Sequence, residues 1–455
     1  MFAGVSGGRR AFGTRFKLFP QPPFLAGFEE PETVVVSPPA GSVHSGPSDD
    51  RMYVVDPIGK VQAYGTSMGR FGNLYLPPWD GPVHRPAMPD AAGHFEHLEP
   101  GTPQFEAAHL YGTARFVLDI WEGYFERPIP WHFRRYYDRM ELILLPTMNN
   151  ATMGYGFMEV GGYTTRNGEF RSFALNFDVI AHEIGHSIIY NEVGVPSPEG
   201  EQGEYFGFHE SAADLIALIA VMHFDSVLDD VLETTRGNLY ALNKLNRIGE
   251  LSEHEQIRAA ANTLVLSDFS EGWTDEHQLA QPLTAAVFDI FVDIFHELLL
   301  DRGLISPELE DLSDQLEGLP EYELVMQSRF DEAYARDPGG FRETLIDARD
   351  YVGTYLADML GLISPDFLGY DDVGAALSEV DREISGGRYL RIINLNFLWR
   401  DIGTAVVGPR LSSPSHSSHV NSVRTSVPVD YPCRRKLPYS ERMRAARNGG
   451  VPGLR

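Results

Sequence analysis

At 455 residues the chain is too long for one compact core and predicts two or three units. Its 43% hydrophobic and 11% aromatic content is that of a globular protein, and no run of eighteen apolar residues could span a bilayer. A net charge of −27 argues against nucleic-acid binding, and a single cysteine, Cys433, excludes an internal disulfide and any multi-cysteine metal site.

The N-terminal stretch MFAGVSGGRRAFGTRF has basic residues but no apolar core of secretory-signal length. Residues 1 to about 50, rich in Gly, Pro and Ser, read as a mobile lead-in, and residues 1–100 as a partly flexible segment with some strands and no assignable role. Short strands are predicted at Arg51–Val55 and Lys60–Tyr64. From Gln104 to Phe125 the spacing of Val117, Ile120, Trp121 and Tyr124 predicts an amphipathic helix. Met140–Pro146 and Gly154–Tyr163 suit strands, so residues 101–195 form a mixed helix and sheet lobe.

Beyond Tyr190 helices dominate, at Glu210–Phe224, Thr284–Leu300 and Phe341–Leu360, giving a mainly helical lobe over residues 196–400. In the second of these helices Val287, Ile290, Phe291 and Ile294 mark the buried face, with Asp289 and Asp293 turned away. The acidic stretch Ile305–Glu323 reads as a solvated surface excursion. From Asp401 to Arg455 nine Lys or Arg stand against three Asp or Glu. This part reads as a flexible basic tail, with binding to the acidic body or an outside anion as the alternative.

Near the end of the first lobe lies VIAHEIGHSIIY, Val179–Tyr190, so residues 101–195 carry the motif. Positions four apart share a helix face, so His182 and His186 can offer two ring nitrogens to one ion, with Glu183 a quarter-turn round as a base. Val179, Ile180, Ile184 and Ile188 give that helix a buried ridge, and Asn176 or Asp178 can cap its start. A catalytic zinc takes three protein ligands and leaves one position open. Glu210 in FHESAADLIAL is the best third ligand, and Asp214, one turn on, would receive an imidazole N–H. The plainer reading makes both residues helix N-terminal acids favoured by the macrodipole, and His209 is a rival ligand.

HEIGH followed by ESAAD, with NNATMGYGFMEVGG and FEAAHLYGTARFVLDIW upstream, resembles the thermolysin-like zinc metallopeptidases of the gluzincin group from about Gln104 to Leu300. The resemblance implies an α+β fold: a mixed catalytic lobe with an edge strand, a mainly helical lobe, and a zinc cleft between them. It implies zinc on His182, His186 and Glu210, Glu183 as general base, and His277 as oxyanion donor oriented by Asp275 or Glu271. Substrate contacts follow at Asn150 and the Ala151 carbonyl on the edge strand, at Arg247 (rivals Arg236 and Arg258) and at Tyr205. The loop Val193–Phe208 is longer than the family's and blurs the match at Tyr205. The implied activity is metalloendopeptidase cleavage of peptide or protein substrates. The alternative is a catalytically inactive, zinc-stabilised peptide-binding protein. Family members commonly bind calcium, but no motif fixes such a site here. The family is commonly secreted, with a cytoplasmic location as the alternative, and nothing in the sequence specifies an oligomeric state.

Overall fold

The computed structural model describes residues 13–65, 75–241, 243–252, 255–316, 319, 321–403 and 427–428. The chain is α+β and divides into two units. The first takes the N-terminal part of the chain through Glu192 together with Gly249–Ile257; the second takes Val193–Ile248 and the chain from Arg258.

In the first unit, β1 (Gly13–Leu18) and β2 (Glu32–Pro39) form an antiparallel pair. From Gly13 on, the mobile lead-in expected over residues 1 to about 50 is thus corrected, and its first twelve residues lie outside the described ones. Among the glycines and prolines stand Phe16, Leu18 and Val36, all fully buried, each contributing roughly 1.5–3 kcal/mol by leaving water. This pair packs on α1 (Pro103–Tyr124), whose start is capped by the Thr102 hydroxyl accepting the Phe105 N–H. Gly112 permits the approach, because a Cβ there would meet Leu18 at 2.9 Å and Phe16 at 3.0 Å. His109, fully buried on α1, accepts the Phe19 N–H at Nε2 and ties the segment after β1 to the helix.

The main sheet has the order β3 (Met52–Val55), β4 (Met140–Leu144), β6 (Phe157–Val160), β5 (Ala151–Met153). The first three are parallel and β5 runs antiparallel to β6. A second antiparallel pair follows, β7 (Gly162–Thr164) with β8 (Phe170–Ser172), and then α2 (Phe177–Glu192), which packs on α1 and β5.

The strand expected at Lys60–Tyr64 does not form. Lys60 is buried with its Nζ 3.0 Å from Glu159 Oε1 and 3.6 Å from the centre of the Tyr64 ring, and Tyr75 lies 4.4 Å away. Tyr64 N–H donates to Glu159 and Trp79 N–H to Glu141. A buried ammonium needs such partners, and meeting that need bends the segment out of strand geometry while anchoring it to β4 and β6.

The second unit is mainly helical: α3 (Gly203–Val221), α4 (Asp225–Thr235), α5 (Glu276–Asp301), α6 (Glu308–Leu316), α7 (Tyr322–Arg336), α8 (Pro338–Leu362), α9 (Tyr370–Ser385) and α10 (Leu390–Trp399). In chain order the strands β9 (Arg247–Ser252) and β10 (Glu255–Ala259) come between α4 and α5, and their residues 249–257 belong to the first unit. Helix α5 is central and packs against α3, α8 and α10. Asp293 does not face solvent as expected. It is buried and receives the Tyr240 hydroxyl and, at 2.8 Å, the Asn396 amide, while Asp289 pairs with Arg400. The acidic stretch expected as a surface excursion contributes α6 and the start of α7. The expected basic tail lies outside the described residues apart from 401–403 and 427–428, and so does Cys433.

Candidate metal centre

Helix α2 carries the first cluster. The Asn176 side-chain oxygen accepts the Val179 N–H at 3.3 Å and caps the helix. Asp178, the other candidate for that role, is buried and accepts the Gly249 N–H at 3.0 Å, anchoring the β9 hairpin to the helix. Ile180, Ile184 and Ile188 are fully buried and Val179 nearly so, which locks the helix rotation. That rotation sets His182, Glu183 and His186 side by side, with potential ligand atoms all within 4.8 Å of one another. The two imidazoles stand 4.5 Å apart at 82°. His182 and Glu183 are buried and His186 is half-buried. Two imidazoles and a carboxylate are nitrogen and oxygen donors that suit a divalent metal, so the group is a candidate metal site.

The strand beside this helix has a directional backbone. Asn150 O accepts the Gly161 N–H and Phe157 O accepts the Gly154 N–H, so in the antiparallel alternation residues 150, 152 and 154 face β6. The backbone groups of Ala151 and Met153 therefore face away from β6. Among the described residues β5 is the last strand of its sheet, so they point to its open edge.

A second cluster lies within the second unit. Asp275 caps α5, accepting the His277 N–H, and its Oδ1 is also 3.0 Å from His277 Nδ1. His277 Nε2 lies 3.3 Å from Glu210 Oε2. Of the two residues considered for orienting His277, Asp275 is the one in contact. Burial acts to raise the Asp275 pKa, but the hydrogen bonds and charge of His277 hold it below the usual carboxylate value.

Two helix starts differ from expectation. Glu210 does not open its helix, because α3 begins at Gly203 and buries Tyr205 and Phe208 before reaching it. The plainer reading of Glu210 as a helix N-terminal acid therefore loses its position. His277 is not in the loop before α5 but in its first turn. Asp214 is buried on α3 one turn past Glu210, and His209 is buried on another face, its ring 5.6 Å from Tyr205.

The substrate candidates separate. Tyr205 is buried and its hydroxyl donates to Gly194 O at 2.8 Å, which makes it a brace for the preceding loop. Arg247 is half-buried at the start of β9; Arg236 ends α4 with its guanidinium 5.3 Å from the centre of the Tyr334 ring. Arg258 lies on β10. The sequence reading passed over the loop at 131–137, where WHFRRYY gathers aromatic side chains beside α2: His132 lies 5.1 Å from the Tyr190 ring and 3.4 Å from Ser187 Oγ. Its signal was the aromatic density alone.

No family model matches the chain, and no curated protein matches its sequence. Among solved structures it is similar to the precursor of protealysin, a metalloproteinase from Serratia proteamaculans, at 13% identity over 78% of this chain and 87% of that one, with a TM-score of 0.40. No helix among the described residues is long and apolar enough to cross a membrane.

Proposed function

We propose that the protein is a zinc-dependent metalloendopeptidase of the gluzincin type. The observation that carries this reading is the His182, Glu183 and His186 cluster on a capped, buried helix that packs against an edge strand. In this reading His182 and His186 hold the ion through ring nitrogens, and Glu210 supplies the third ligand. Asp214 receives a ligand imidazole N–H and fixes its tautomer. Bound there, zinc would supply Lewis-acid polarisation of a carbonyl and a nucleophile at neutral pH.

The chain's own residues do the rest. The open edge of β5 takes an extended peptide by strand addition, the Ala151 carbonyl accepting a substrate N–H and the Asn150 side chain adding a polar contact. Glu183 takes the proton of the attacking water and delivers it to the leaving amine. His277, its ring held by Asp275, donates a hydrogen bond to the developing oxyanion, and Arg247 contacts a substrate carbonyl. The closeness of His277 to Glu210 supports placing the two in one constellation.

The test is metal content together with casein hydrolysis, wild type against Glu183→Gln. Zinc near one per chain in both proteins, with hydrolysis only in the wild type, is the expected result. Turnover retained in the variant would remove Glu183 from its role, and zinc with hydrolysis in neither would favour a peptide-binding protein.

A further inference from the structure

Where β5 turns into β6, the first unit exposes aromatic surface that its fold does not use. Tyr155, on that turn, is 43% exposed, and Tyr136, on the loop after α1, is 67% exposed. Their rings are 5.7 Å apart, edge to face. Beneath them the Tyr155 ring meets those of His132 at 5.3 Å and Phe133 at 6.1 Å, and the Tyr155 hydroxyl points to the His132 carbonyl at 3.5 Å. His132 in turn touches Ser187 and Tyr190 on α2, the first of these being the residue after His186. The cluster thus links the end of the edge strand to the helix of the metal-binding motif.

An aromatic cluster that is only core would be covered, and this one is open at its top. Its base is firm: Phe133 is fully buried and stacks on Trp131 at 5.5 Å, so the exposed rings stand on a fixed support. Burial pulls the His132 pKa down to about 4, which leaves a neutral ring under Tyr155 at physiological pH. The Arg135 guanidinium lies 5.6 Å from the centre of the Tyr136 ring, and Arg134 is exposed beside it.

We infer that Tyr155 and Tyr136, supported by His132 and Phe133, form a specificity subsite that receives an aromatic or large aliphatic side chain of a peptide extended along β5. This rests on the peptidase reading for its substrate class. The occupant follows from continuity with the open edge: a strand added to β5 advances about 3.3 Å per residue. A side chain about two to four residues beyond the one opposite Ala151 therefore arrives at the turn that carries Tyr155. Aromatic rings meeting edge to face or offset favour apolar and aromatic partners.

The test uses zinc-loaded Glu183→Gln protein and fluorescently labelled, end-capped decapeptides of Ala, Thr and Gly in which a single Phe, Leu or Glu is stepped through each position. Binding is read by anisotropy. In one register Phe and Leu should tighten binding about 5- to 10-fold over Ala, and Glu should not. Adding Tyr136→Ala, a surface change, should remove most of that gain, and Tyr155→Ala the rest, with circular dichroism checking the fold. Equal binding of all peptides, tighter binding of Glu, a Phe gain that survives Tyr136→Ala, or no measurable binding would each overturn the subsite. Casein hydrolysis by the wild type tells the two failures apart: cleavage without a Phe register sinks the subsite alone, and a Phe register without cleavage sinks the peptidase reading alone.

Discussion

The clusters of the two units are built in opposite ways. On α2, three consecutive-turn residues, His182, Glu183 and His186, are set in place by one helix and its cap. In the second unit, Glu210 on α3 meets His277 at the start of α5, sixty-seven positions later in the chain, and His277 in turn meets Asp275. The first arrangement depends on secondary structure, the second on how two helices pack. A cluster of the first kind tolerates much change elsewhere in the chain. One of the second kind shifts whenever the packing does.

The largest effect should come from the local cluster. Glu183→Gln keeps both imidazoles and removes only the base, so kcat should fall about 10²–10⁴-fold while bound metal stays unchanged, as elemental analysis beside peptide hydrolysis would show. His277→Ala should lower kcat about 10²–10³-fold with little change in KM if the residue meets the oxyanion only in the transition state. Asp275→Asn should reproduce only part of that loss, about 10-fold, because the ring remains and only its support weakens. A loss in KM alone for His277→Ala would assign it to substrate binding and leave the packed cluster without a catalytic part.

The same contrast explains what could be read from the sequence. His182 and His186 were legible because their spacing equals a helix turn and the apolar ridge at Ile180, Ile184 and Ile188 names the buried side. Glu210 was legible as a residue but not in its place, since the glycines and aromatics of GEYFGF hide two turns of α3. The start of α5 was hidden likewise, with Pro282 inside the helix breaking its helical signature. Lys60 and Asp293 were misread for one reason: their burial depends on partners distant in sequence, Glu159 and Asn396, which no local period reports. The alternation in KVQAY suggested a strand where an ion pair and two aromatic rings decide the path.

Stability should separate the two kinds of contact by pH. His109 holds the segment after β1 to α1 by a long-range bond, and burial pulls its pKa from 6.5 down to about 4. Between those values the unfolded chain binds a proton that the folded chain refuses, so this contribution is whole above about pH 6.5 and is lost as pH falls through 4. For this fully buried group the loss is on the order of 3 kcal/mol. Urea unfolding of the wild type should weaken over that window, and His109→Gln should flatten the slope. An unchanged slope in the variant would mean that other groups control acid unfolding.

The smallest effect should belong to the cap. Asn176→Ala removes one side-chain acceptor at the start of α2 and should cost about 1 kcal/mol in urea unfolding. Metal affinity should move far less than stability, because His182 and His186 ride on the same helix and are still held by the buried isoleucine ridge. Isothermal titration of the apo-protein with Zn²⁺ would measure this. Were the affinity to fall by about 10-fold or more, a change worth about 1.4 kcal/mol, the helix start would be setting the ligand geometry, and the cluster on α2 would be less self-contained than its sequence suggests.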